Sequence, residues 1–234
     1  MTQLLISVKN VEEALLALQA GADIIDLKEP TIGALGALDL VTSKKIVHAI
    51  NRRVILSATV GEQHTNVGEL EKAIHSYHEI GVDVIKLAVN DLFSHPEFEA
   101  EIVKITERNI KLVAVFFADE TIDWSRLIQI SALGFFGAML DTKQKNKDLT
   151  QIVTKKQLQL FTQACVVNNL KFGFAGSLRL QHVDQFTLFN PTYMGFRGGV
   201  CKAFEREFFL LPQSVSDIKK LLLKHNNFEL IVQY

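Results

Sequence analysis

Asp26 and Lys28 stand two residues apart at the end of an apolar run, "ADIIDLKEPTIGALGAL", and Pro30, Gly33 and Gly36 follow at once. Side chains two apart in a strand share a face, so carboxylate and amine point the same way while Ile25 and Leu27 take the other side. The run "VDVIKLAV" repeats the pattern, with Lys86 on the face of Val84 and Ala88. A third run, "MLDT", ends with Asp141 on the face of Met139 and is followed by Lys143, Lys145 and Lys147. A lone strand-end lysine is ordinarily a solvated junction residue, and "TKQKNKD" has the make-up of an exposed loop. Two lysines set between apolar neighbours are different, because an unpaired buried ammonium is costly. Burial or a second cation lowers a lysine from about 10.4 toward neutrality, and a neutral amine attacks carbonyl carbon. These residues suit Schiff-base chemistry of the class I aldolase type, with the second lysine or a carboxylate such as Asp26 or Asp141 moving protons. Glu29 follows Lys28 directly, and strand alternation turns it outward, away from the amine.

A second constellation lies near the C-terminus. "FAGSLRL" sets Gly176 and Ser177 before a helical segment, and "GFRGGVCK" sets Arg197, Gly198 and Gly199 after an apolar run. Glycine turns expose backbone N–H groups that can cradle phosphate, and Arg197 adds a fixed cation. His75 and His78 are three apart, but no carboxylate or cysteine completes a metal set, so no metal is expected. His64 reads as a polar loop residue. No G-x-G-x-x-G or Walker A loop is present, so no nucleotide cofactor is expected.

Eight short β-branched or aromatic runs must position these side chains: residues 4–8, 24–28, 54–60, 84–89, 112–118, 137–142, 171–178 and 193–199. Helical periodicity fills the intervals. The first helix covers 11–20, with Asn10 and Glu13 at N-cap and N3 and Gly21 as its stop. Others begin near Val41, Gly68, Pro96, Thr121, Lys155 and Leu180, and a last one covers 215–224 with Ser214 or Ser216 as N-cap. The amphipathic tail "DIKKLLLKHNNFELIV" reads as a packing helix. Strand and helix alternating eight times require parallel strands with helical crossovers, and a single-domain (β/α)8 TIM barrel over residues 1–234 is the economical closure, with a doubly wound open sheet as rival. In such a barrel, chemistry sits at the C-terminal strand ends, and phosphate often sits after strands seven and eight.

The 234 residues are 48% hydrophobic and 22% charged, with a net charge of -1. That balance argues against recruitment of nucleic acid or an anionic membrane by a global basic field. Two cysteines, Cys165 and Cys201, give no disulfide framework and fit a reducing compartment. The N-terminus lacks the order of a signal peptide, and no run is long enough to span a membrane, so a cytoplasmic protein is expected. The expected partner is a small phosphorylated carbonyl compound; a homo-oligomer stays open.

The stretches "LLISVKNVEEALLALQAGADIIDLKEPTIGALGA", "GVDVIKLAV", "MLDT", "GFAGSL" and "FRGG" resemble the (5-formylfuran-3-yl)methyl phosphate synthase family, from the N-terminus to about residue 205. The resemblance implies a barrel that condenses two molecules of glyceraldehyde 3-phosphate into 4-(hydroxymethyl)-2-furancarboxaldehyde phosphate for methanofuran-type one-carbon carriers. It implies Lys28 as the Schiff-base lysine with Asp26 beside it, Lys86 as the proton-transferring lysine, and Asp141 with Lys145 after strand six, Lys143 and Lys147 being rivals of Lys145. One glycine-rich site is visible for two phosphates, which leaves the lysines at 143–147 for the other. The alternatives are a barrel isomerase or decarboxylase using both lysines non-covalently, and a sugar-phosphate sensor without turnover.

Overall fold

A computed structural model describes residues 1–62 and 64–232. Eight parallel strands, β1 (Gln3–Val8), β2 (Ile24–Leu27), β3 (Ile55–Thr59), β4 (Val84–Ala88), β5 (Lys111–Phe117), β6 (Gly137–Asp141), β7 (Lys171–Phe174) and β8 (Tyr193–Phe196), hydrogen-bond in sequence order and close into a barrel. The closure is the pairing of β1 with β8, from Gln3 against Tyr193 to Ile6 against Phe196. The open sheet is thereby ruled out.

Period-two alternation divides the apolar side chains into two cores. Ile25, Leu27, Ile85, Leu87, Ala138 and Leu140 face outward into the layer between sheet and helices. Leu5, Ile24, Val113, Val115, Met139 and Tyr193 fill the barrel interior. Toward the C-terminal strand ends five inner positions are instead polar, and Ser7, Asp26, Ser57, Lys86 and Asp141 are all buried, with apolar Ala88 and Phe117 ending β4 and β5 beside them.

Local chemistry sets the helices. In α1 (Val11–Gln19) the Asn10 side chain accepts from the Glu13 N–H at 2.8 Å, and Gly21 at φ +97° carries the chain out beyond its end. Asp39 caps α2 (Leu40–Ile50) and Asn66 caps α3 (Val67–Glu79), while Pro96 occupies the first turn of α4 (Pro96–Glu107). Three expectations need correction. The helix expected from Thr121 is α5 (Arg126–Ala132), because an Asp123–Ser125 side-chain turn holds the preceding backbone out of the helix. A short α6 (Leu149–Ile152) precedes α7 (Lys155–Val167), and Leu180–His182 forms a 3-10 turn ahead of α8 (Val183–Thr187). The last helix, α9 (Pro212–Val232), begins at Pro212, so Ser214 and Ser216 lie inside it and cap nothing. It packs as a tail helix: Asn226 brackets Thr2, accepting from its N–H at 2.8 Å and donating to its carbonyl at 3.1 Å. Among the described residues no helix is long and apolar enough to cross a membrane.

Candidate active site

Strand register assembles the centre of the site. Ser7, Asp26 and Ser57 are aligned partners across β1, β2 and β3. Both hydroxyls donate to the Asp26 carboxylate, Ser7 Oγ to Oδ2 at 2.8 Å and Ser57 Oγ to Oδ1 at 2.7 Å. Lys86 Nζ reaches the same carboxylate from β4 at 2.7 Å, with both side chains sealed from solvent. Asp26 was expected beside Lys28; its ion-pair partner is Lys86. A buried pair of this kind survives because the carboxylate's remaining lone pairs are taken by two hydroxyls.

A second pair stands across the mouth. Lys145 Nζ donates to Asp141 Oδ1 at 2.7 Å and also to the carbonyl and hydroxyl of Thr142. Burial alone would raise the Asp141 carboxyl, but Lys145, Lys28 and the Thr142 N–H hold it below the ordinary carboxylate range. Of the three loop lysines, Lys145 lines the cavity at the mouth and the other two do not. Lys143 pairs with Glu120 at 2.6 Å and lies over the Phe117 ring, and Lys147 is exposed.

Lys28 lies between these pairs and belongs to neither. Its side chain is 7% exposed, and among the described residues its amine has no hydrogen-bond or ion-pair partner. Burial pulls its pKa from 10.5 down to about 7; Asp141 opposes the shift, Lys145 and Lys86 reinforce it, and Asp26 opposes it weakly. A substantial share of this amine is thus neutral near pH 7. Glu29 takes no part, since its carboxylate accepts from the N–H and hydroxyl of Thr31 at 3.0 and 2.7 Å.

Lys28, Lys86, Asp141 and Lys145 line one cavity of about 250 Å³ at the C-terminal end of the barrel, together with Gly176, Ser177, Gly198 and Gly199. The glycines are required by close approach: a Cβ on Gly199 would sit 2.0 Å from the Leu178 carbonyl oxygen, and Gly176 adopts φ +100° against Thr142. The two turns are therefore packed directly on each other. A wider opening of about 910 Å³ at the N-terminal end touches Lys86 but contains neither Lys28 nor the glycine turns. His78 lines that opening and His75 lies 3.8 Å from Glu71; among the described residues no His, Cys, Asp or Glu cluster is placed to hold a metal ion.

Arg197 lines the cavity but needs correction as a phosphate ligand. Its guanidinium binds Glu13 bidentately at 2.5 and 3.2 Å and donates to the carbonyls of Ser7, Arg206 and Phe208. With those donors spent on protein acceptors, it is a buttress for the β8 loop. Sequence reasoning missed Ser7, Ser57 and Glu13, and with them Arg179 and Arg206, which also line the cavity. The two serines had a signal, a hydroxyl on the inner face of an apolar strand. Glu13 had none, since 184 positions separate it from Arg197.

The sequence model of the 4-HFC-P synthase family matches residues 4–219. The chain belongs to this family. A Methylorubrum extorquens protein provisionally named (5-formylfuran-3-yl)methyl phosphate synthase is 38% identical over 205 residues, covering 87% of this chain and 84% of that protein. Family members of the same name from Methanosarcina barkeri and Methanocaldococcus jannaschii are each 30% identical, covering 85% and 93% of this chain and 90% and 98% of their own lengths. Solved structures share the family's fold at low identity. Phosphoribosyl anthranilate isomerase from Thermus thermophilus superposes with a TM-score of 0.67 at 13% identity, covering 95% of this chain and 99% of that one. The 3-hexulose-6-phosphate synthase of Salmonella typhimurium gives 0.63 at 14%, covering 96% and 100%.

Proposed function

We propose that this 4-HFC-P synthase family member is a Schiff-base enzyme that condenses two molecules of glyceraldehyde 3-phosphate into 4-(hydroxymethyl)-2-furancarboxaldehyde phosphate, releasing one phosphate and two waters, for methanofuran-type cofactor synthesis. The observation that carries the reading is the burial-depressed Lys28 amine, unpaired among the described residues and set between two ion pairs. A neutral amine adds to the aldehyde, and loss of water leaves an iminium whose charge acidifies the adjacent carbon. The Lys86–Asp26 pair moves the proton from that carbon: Lys86 passes its own proton to the Asp26 carboxylate and takes the carbon proton on the freed lone pair. Asp141, kept ionised by Lys145, faces the iminium and balances its charge. The N–H groups of the Gly176–Ser177 and Gly198–Gly199 turns hold phosphate. The test is borohydride trapping with glyceraldehyde 3-phosphate, followed by intact-mass and peptide mapping, with an adduct expected on Lys28.

Two further outcomes follow from the geometry. The trapping rate should rise between pH 6 and 8 with a midpoint near 7, because the neutral amine is the nucleophile and its fraction grows as pH passes the depressed pKa. A midpoint above 9 would mean that Lys28 carries an ordinary ammonium. Lys145→Ala should lower turnover by about 10- to 100-fold, the scale for loss of a charge-assisted hydrogen bond, whereas Lys147→Ala should leave steady-state kinetics unchanged. Equal losses in both variants would contradict the assignment.

A further inference from the structure

The chain after β8 folds back over the mouth as a strap. Cys201 and Leu210 form an antiparallel bridge, and Lys202 N donates to the Phe209 carbonyl at 3.1 Å. Arg197 fixes the strap from below through the carbonyls of Arg206 and Phe208. Lys9 fixes its edge through the carbonyl of Glu207. With its backbone pinned on both sides, residue 206 projects its side chain from a rigid base.

Three arginines line the same cavity: Arg179 is exposed and lies over the Phe204 ring at 4.3 Å, while Arg197 and Arg206 stand in opposite circumstances. Arg197 has a carboxylate and three carbonyls. Arg206 is half-buried, and the one hydrogen bond of its guanidinium among the described residues runs from Nη2 to the Gly33 carbonyl in the β2–α2 loop. Asp141, Glu207 and Glu62 act on it electrostatically, yet none lies within ion-pair distance. A partly desolvated guanidinium without a carboxylate is unfavourable unless an anion completes it, and its planar fork matches phosphate oxygens. It reaches toward the β2–α2 loop, while the glycine turns follow β7 and β8.

We infer that Arg206 is the side-chain clasp for a substrate phosphate: it closes the strap over Lys28 by donating to a phosphate monoester while its Gly33 contact ties the strap to the β2–α2 loop. The inference rests on the reading above only in that the substrate carries phosphate. It makes Arg206 a specificity-determining residue that distinguishes phosphorylated from unphosphorylated aldehydes.

The experiment compares wild type with Arg206→Ala and Arg206→Lys in borohydride trapping on Lys28, using glyceraldehyde 3-phosphate and unphosphorylated glyceraldehyde. Arg206→Ala should raise the half-saturating concentration of the phosphorylated aldehyde by about 10- to 100-fold, leave that of glyceraldehyde unchanged, and recover with millimolar guanidinium ion. Arg206→Lys should fall between, since an ammonium supplies charge without the fork. Equal effects on both aldehydes, or none, would overturn the clasp. Calorimetric titration of inorganic phosphate into the same proteins separates the two proposals. If wild type forms no adduct, the Schiff-base reading fails and the titration alone decides: weaker phosphate binding by Arg206→Ala supports the clasp, while equal affinity, or no phosphate binding by wild type, rejects it.

Discussion

Lys28→Ala is expected to abolish borohydride trapping by glyceraldehyde 3-phosphate and to lower turnover by about 10⁴-fold or more, the scale on which removal of a covalent nucleophile acts. The wild-type adduct should weigh the aldehyde less one oxygen, because imine formation expels water and reduction adds two hydrogens. Lys28→Arg sharpens the result. Arginine keeps a cation at the same strand end but stays protonated at every accessible pH, so it cannot add to a carbonyl. Covalent chemistry predicts that both variants fail alike. A barrel isomerase or decarboxylase that used residue 28 only as a fixed charge would retain most of its rate in Lys28→Arg. Lys28→Ala should not unfold the protein, since the Lys28 amine has no hydrogen bond or ion pair to lose among the described residues, whereas Lys28→Arg sets a permanent cation at a 7% exposed position and should cost some stability while leaving the protein folded. An unchanged thermal midpoint in Lys28→Ala would show that lost activity reflects lost chemistry.

Asp26→Ala is expected to act in the opposite manner, through stability first. The change would strand the Lys86 ammonium at 4% exposure and leave the Ser7 and Ser57 hydroxyls without their acceptor. Removing one partner of a buried pair costs about 3–5 kcal/mol. For a chain of this size that lowers the thermal midpoint by roughly 6 to 20 °C. Replacing both partners, as in an Asp26→Leu, Lys86→Met double variant, should recover much of that loss while remaining inactive, because no uncompensated charge is left and no proton-transferring amine remains. Calorimetric melting of the three proteins measures the difference. A double variant less stable than Asp26→Ala would mean that the polar centre supports the barrel by more than its charge pairing.

The strands and their inner faces were legible because alternation is local: "IIDLK", "VIKLAV" and "GAMLDT" each show a charged residue at the parity of the barrel interior. Helix ends were less so. Asn10 and Pro96 could be read from capping chemistry, whereas the start of α5 at Arg126 depends on an Asp123–Ser125 turn that competes with helix. Arg197 was misread for a different reason: a guanidinium beside two glycines resembles a phosphate site until the chain returns with Glu13 and the carbonyls of 206 and 208 to satisfy it.

By itself the sequence determined the eightfold alternation and the inward placement of Asp26, Lys28, Lys86 and Asp141, since both depend on periods of two and 3.6 residues. Only the tertiary structure decided which charges pair. Closing the barrel sets Asp26 against Lys86 and Asp141 against Lys145, and so leaves the Lys28 amine without a partner among the described residues, buried and with its pKa pulled down to about 7. Pairing is a matter of distance between side chains on different strands, and a buried amine's pKa responds to desolvation and to every charge around it; neither is written in the order of residues along one strand.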